Sequence, residues 1–267
     1  MKLTILGSGT CASGLPGIAD RFPPAFLVES GKDRILFDCG EAVRFRLKDF
    51  ETLSHIAISH AHPDHFALAQ FYQSVFCTRK WKGIDTKNHE INMYCPAHIA
   101  ENFPQYWRFY LSGERELDFP WPKLIFHDMS KKDAGIGIGE MKLEAKKVYH
   151  SFGEADALAF RLETPLGIFT YSGDTGLCQG IKAAALGADI FLCEASARIG
   201  NNQAASNYGH LNPFQAGQIA KEAHVKKLIL FHYTGLDSDE AMVVDCRRSG
   251  FEGEIVIGKD NQEFVLA

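Results

Sequence analysis

Short apolar runs separated by turns containing glycine and proline open the chain. Leu3–Leu6, Ala25–Glu29 and Arg34–Asp38 read as strands by their β-branched and aromatic content. Glu41–Phe50 fits a helix, and His55–Ser59 a further strand. From His65 to about Cys77 the apolar positions Phe66, Ala69, Phe71, Tyr72, Val75 and Phe76 recur at helical spacing. Ile91–Cys95 is again strand-like. The second half repeats the theme, with strands predicted at Met141–Val148, Ala157–Glu163, Gly167–Tyr171, Ile190–Cys193, Lys227–Phe231, Glu254–Ile257 and Glu263–Leu266. Asn212-Pro213-Phe214-Gln215 has the form of a capping box with proline at the first helical position, and opens a helix to about His224. A second helix, Asp239–Arg248, is bounded by Ser238 and Gly250. Phe103–Trp121 carries seven aromatic residues, which read as core, as a subunit interface or as a wall beside a substrate. Two successive sheet-and-helix halves predict an α/β (α+β) protein with two sheets face to face and helices outside. With no linker-like stretch, residues 1–267 form one expected domain.

Composition changes this picture little: 46% of the 267 residues are hydrophobic and 23% charged, as in ordinary globular chains. No apolar run reaches membrane-spanning length, and the N-terminus enters a strand directly, without room for a signal peptide. The seven cysteines are scattered and contain no Cys-x-x-Cys pair, so they read as reduced, small hydrophobic residues. A cytoplasmic location is expected. The formal net charge of −5 argues against an electrostatic grip on long nucleic acid. It leaves room for a small phosphodiester, because bound divalent ions reverse the local field.

The chemistry concentrates in Ser59–His65, where His60, His62, Asp64 and His65 form a His-x-His-x-Asp-His cluster. Imidazole and carboxylate are zinc ligands, and the cluster falls on the turn between a strand and a helix. Pro63 stops the strand and biases His62 to an extended backbone. His60 and His62 are thereby expected to converge on one ion, with Asp64 and His65 at a neighbouring position. The alternative is a polar turn in which Asp64 only caps the helix. His150, Asp174 and His232 each sit just beyond an apolar strand, where loops carry function. Zinc, manganese and iron all accept such ligands.

In this order, His60-x-His62-x-Asp64-His65, His150, Asp174 in Ser-Gly-Asp-Thr-Gly and His232, with the opening Leu6–Thr10 and the Leu36–Gly40 turn, the chain resembles the metallo-β-lactamase-fold hydrolases. The resemblance implies a four-layer αββα sandwich of two mixed sheets. It implies one divalent ion on His60, His62 and His150, a second on Asp64, His65 and His232, Asp174 between them, and a bridging hydroxide as nucleophile. Glu194 and His210 are similar to a pair found in the ribonuclease-Z-like phosphodiesterases. That similarity makes His210 a donor to phosphate, with Glu194 setting its tautomer, so that Asp64, Glu194 and His210 are the expected catalytic residues. Only 23 residues separate His150 from Asp174, too few for the long tRNA-binding arm of true ribonuclease Z. The expected activity is metal-dependent hydrolysis of a small phosphodiester or short nucleic-acid end, most simply with two zinc ions, by a protein that could form a homodimer. Alternatives are hydrolysis of a lactone, ester or thioester on the same centre, and tRNA 3′ processing. His62 argues against a di-iron redox protein, and Asp174 against a β-lactamase proper.

Overall fold

The strands follow the hydrophobic pattern closely. A computed structural model describes residues 1–13, 21–110, 120–131, 135–150, 156–202 and 207–266. The first half supplies β1 (Lys2–Gly7), β2 (Ala25–Ser30), β3 (Asp33–Phe37), β4 (His55–Ala57), β5 (Glu90–Cys95) and β6 (Lys123–Asp128). The second supplies β7 (Gly135–Ile138), β8 (Met141–Val148), β9 (Ala157–Thr164), β10 (Gly167–Tyr171), β11 (Ile190–Glu194), β12 (Lys227–Phe231), β13 (Glu254–Ile257) and β14 (Glu263–Val265). The sheet orders are β14-β1-β2-β3-β4-β5-β6 and β13-β12-β11-β10-β9-β8-β7. Both sheets are mixed: β3 to β6 pair in parallel, as do β10 to β13, while the remaining pairs are antiparallel.

The inner faces share a core rich in aromatic rings. Phe26 and Phe37 stack at 4.9 Å, and Phe160, Phe169, Tyr171 and Phe231 meet them edge-on. Each such ring, fully buried, contributes on the order of 1.5–3 kcal/mol of hydrophobic stabilisation. The outer faces are covered by helices. On one lie α1 (Val43–Arg46), α2 (Leu68–Trp81) and α3 (Ala97–Tyr110), and on the other α4 (Gln179–Ala185), α5 (Pro213–Glu222) and α6 (Asp239–Arg247). The result is the αββα sandwich anticipated above. Its parallel strands bring Asp38, the Ser59–His65 loop, Asp174, Glu194 and His232 to one edge, the usual place for a site in such sheets.

The departures from the sequence pattern have local causes. Glu41–Phe50 is not one helix: Leu47 is extended and Asp49 left-handed (φ 51°), so α1 stops at Arg46 and a 3₁₀ turn follows at Phe50–Thr52. Pairing in β4 ends at Ala57 because Ser59 turns its N–H to the Asp38 carboxylate. The helix after the motif begins at Leu68, not His65. Residues 65–67 first pair with Cys39, whose N–H donates to the His65 carbonyl and whose carbonyl accepts from Ala67. Asp64 does not cap that helix, whose N-cap is Ala67 with no side-chain bond. The aromatic segment divides. Phe103, Trp107 and Trp121 pack in the outer core, Tyr106 and Phe109 are exposed, and Phe119 lies outside the described residues.

Candidate metal centre

The loops after four strands, β4, β8, β10 and β12, build the centre. His60, His62 and His150 gather with Asp174, one potential ligand atom from each lying within 4.8 Å of the others. Asp64, His65 and His232 form a second set by the same measure. The Asp174 carboxylate stands between the sets. Its Oδ2 is 3.9 Å from the Nε2 atoms of His60 and His150, and its Oδ1 is 3.4 Å from His65 Nε2 and His232 Nδ1. Asp174 is delivered by Gly173, whose φ of +57° and approach to the Leu158 carbonyl, 2.6 Å from where a Cβ would sit, demand glycine. His232 itself sits at φ 49°, a left-handed backbone that turns its ring back over the site.

A residue given no role by its sequence context governs the imidazoles. Asp38, buried and left-handed (φ 53°), accepts hydrogen bonds from Ser59 N (2.7 Å), Ser59 Oγ (2.8 Å), His65 Nδ1 (2.7 Å) and Tyr171 Oη (2.6 Å). Because Ser59 Oγ donates to Asp38, it accepts from His60 Nδ1 at 3.0 Å. His60 therefore turns an unprotonated Nε2 inward. His150 Nδ1 donates to the Gly209 carbonyl at 2.9 Å, which fixes its tautomer the same way. Such outer hydrogen bonds are what orient metal-ligating histidines.

The donor set fits divalent cations. His60 Nε2, Asp174 Oδ1 and His232 Nδ1 are buried without a hydrogen-bond partner, a costly arrangement for a protein interior unless a ligand completes it. Burial opposes a charge on His65, yet the flanking Asp174 and Asp38 carboxylates outweigh it and hold that imidazole well above its ordinary value. Two buried acids thus call for positive charge, which a proton or a metal supplies. For His60, burial and the neighbouring His65 push the pKa well down, which favours the neutral, ligating form. Asp64 is buried too, but its hydrogen bond to His232 and the nearby His65 bring it down to about 2. Its Oδ2 also accepts from the Cys11 N–H at 3.0 Å.

Glu194 and His210 stand beside this cluster. Glu194 is fully buried; its Oε1 accepts from His210 Nδ1 at 2.8 Å and from Thr175 N, and its Oε2 from the Ser196 backbone and hydroxyl. His210 Nδ1 is also 3.9 Å from Asp174 Oδ2. Burial works against protonation of His210, but the Glu194 charge and hydrogen bond prevail and raise its pKa to about 9. A cavity of about 490 Å³ opens here, lined by His62, Asp64, Asp174, His210 and His232, with Arg198 and Tyr208 on its outer wall.

A beta-lactamase superfamily domain matches residues 33–233, a span that takes in Asp38 and every side chain of both sets. The chain belongs to the beta-lactamase superfamily. Within the superfamily it is 27% identical to a ribonuclease Z of Streptomyces avermitilis, covering 97% of this chain and 95% of the relative. That alignment runs to 300 positions, more than the chain's 267 residues, so the ribonuclease carries insertions that this superfamily member lacks. The crystal structure of the metallo-beta-lactamase fold protein YhfI from Bacillus subtilis superposes with a TM-score of 0.78 at 23% identity, covering 99% of both chains. The human short-form tRNase Z gives 0.73 at 18% identity over the full length of both. These superpositions carry the same metallo-β-lactamase sandwich.

Proposed function

We propose that this superfamily member is a metal-dependent phosphodiesterase acting on a small phosphodiester or a short nucleic-acid end. The hydrogen-bonded Glu194–His210 pair beside Asp174 carries this reading. His60, His62 and His150 would hold one divalent ion, Asp64, His65 and His232 the other, and Asp174 would serve both. Nitrogen-rich sets of this kind favour zinc. Bound there, the ions supply a polarised phosphoryl oxygen and water of lowered pKa. His210, with Nδ1 committed to Glu194, has Nε2 for the substrate. As an imidazolium it donates a hydrogen bond to a phosphoryl oxygen and passes its proton to the departing oxygen as the P–O bond breaks. Glu194 balances the charge and fixes the ring. Asp64 remains a carboxylate at any working pH, which suits both a ligand and an acceptor for the attacking water.

The relatives named ribonuclease Z support an RNA end as substrate. Against a tRNA-sized grip stand the overall acidity and the short β9–β10 connection, in which Thr164 pairs with Gly167. Hydrolysis of bis(p-nitrophenyl) phosphate by protein loaded separately with zinc and with manganese tests the proposal. Turnover should require metal and fall by about two to four orders of magnitude in Asp64→Ala, the range expected for a lost metal-site or acid–base group. Turnover of lactones or thioesters with none of the diester would overturn it.

A further inference from the structure

Ala61, His62 and Pro63 form an exposed ridge with a cavity on either side. The first is the cavity of His210 and Asp174 described above. The second, of about 410 Å³, lies where Ala61 and Pro63 meet Phe66, Phe103 and Tyr106. We propose that this second cavity is a nucleobase subsite, holding the base attached to the side of the phosphodiester that is retained while His210 serves the leaving side. The assignment rests on the phosphodiesterase reading.

Shape and chemistry both favour a base. Phe103 is buried and forms the floor; Phe66 stands nearly perpendicular to it (78°, 5.9 Å), and Tyr106 lies 6.5 Å from Phe66. Tyr106 is 42% exposed, so part of its ring meets solvent beside the ridge. A half-exposed aromatic next to a catalytic ridge offers a stacking surface, and such surfaces accept any base. The rim adds acceptors. Asn102, which donates its Nδ2 to the His98 carbonyl at 2.7 Å, has an amide oxygen as acceptor, and Glu41 brings a carboxylate. A second phosphate would be repelled by Glu41, whereas the exocyclic amino group of adenine, cytosine or guanine would be accepted. The cavity is within the size range of small-molecule sites. Two cavities across one ridge also match the two substituents of a phosphodiester.

Two diesters with the same leaving group isolate the subsite: adenosine 5′-(p-nitrophenyl phosphate) and methyl p-nitrophenyl phosphate. With metal-loaded protein, KM should be about tenfold lower for the adenosine ester, as expected for one stacked base. Tyr106→Ala should remove that advantage, Tyr106→Phe should keep it, and kcat and KM for the methyl ester should not change. Equal KM values for the two esters, or an advantage that survives Tyr106→Ala, would overturn the subsite. Calorimetric titration with adenosine 5′-monophosphate gives a readout independent of turnover. Binding weakened about tenfold by Tyr106→Ala supports the subsite even if neither diester is cleaved, a result that would count against the phosphodiesterase reading alone. Unchanged binding overturns the subsite.

Discussion

Asp38 holds together groups that come from distant parts of the chain. Its four donors sit at positions 59, 65 and 171, so nothing in the local sequence announces the role, and an Asp before Cys-Gly reads as a turn former. Asp38→Asn keeps the shape but loses the charge, and its amide must turn a donor towards one of these N–H or O–H groups. We expect metal affinity to fall about 10–100-fold, measured by competition with a chromophoric chelator, as is usual for partners of ligating histidines. His210 makes a separate prediction about pH. Its folded pKa lies above its ordinary value, so the protonated, donating form prevails below about 9 and is lost as pH rises through that value. For a diester with a poor leaving group, kcat/KM should therefore fall on the alkaline side near pH 9. His210→Ala should lower turnover by about two orders of magnitude, abolish that limb and leave the bound metal unchanged.

At the level of elements, the sequence was most legible where local chemistry decides the outcome. The capping box at Asn212 is formed in full, with Gln215 N donating to Asn212 Oδ1 and Asn212 N to Gln215 Oε1. Asn212→Ala should cost about 1 kcal/mol in urea denaturation. Because this N-cap lies two residues after His210, the same change should also loosen the ring of His210 against Glu194. Elements whose form depends on tertiary contact escaped the pattern. α3 contains Pro104 and a crowd of aromatics, so its helicity is sustained by packing against β6 rather than by propensity. β7 alternates glycine with isoleucine and exists as the edge partner of β8. α4 is only seven residues long, and its Gly180 lets it approach the Lys147 carbonyl too closely for any side chain. The candidate ligands were visible because each follows an apolar strand. Their partition around the two oxygens of Asp174 follows from topology, which residue order alone does not encode.

For the whole molecule, the centre is a seam. His60, His62, Asp64 and His65 follow a strand of one sheet, whereas His150, Asp174 and His232 follow strands of the other. Ions bound there would tie the two sheets together and stabilise the fold by mass action. Removing them with a chelator should lower the melting temperature by about 10 °C, from about 4 kcal/mol of linkage at a thousandfold excess over Kd, and added zinc should restore it. A melting temperature indifferent to chelation would count against a resident metal. No helix among the described residues is long and apolar enough to cross a membrane.

The two halves of the chain are also tied within the first sheet. β14, from the second half of the chain, pairs with β1, and the Met1 amino group donates to the Leu266 carbonyl at 2.8 Å. The first sheet is therefore finished only by a strand that comes after every strand of the second sheet in chain order, and until that strand arrives β1 is an open, hydrogen-bond-hungry border. Severing the backbone between β6 and β7 would not yield two independent layers. The later fragment would still lend its final strand to the earlier one, a donor-strand exchange built into a single polypeptide.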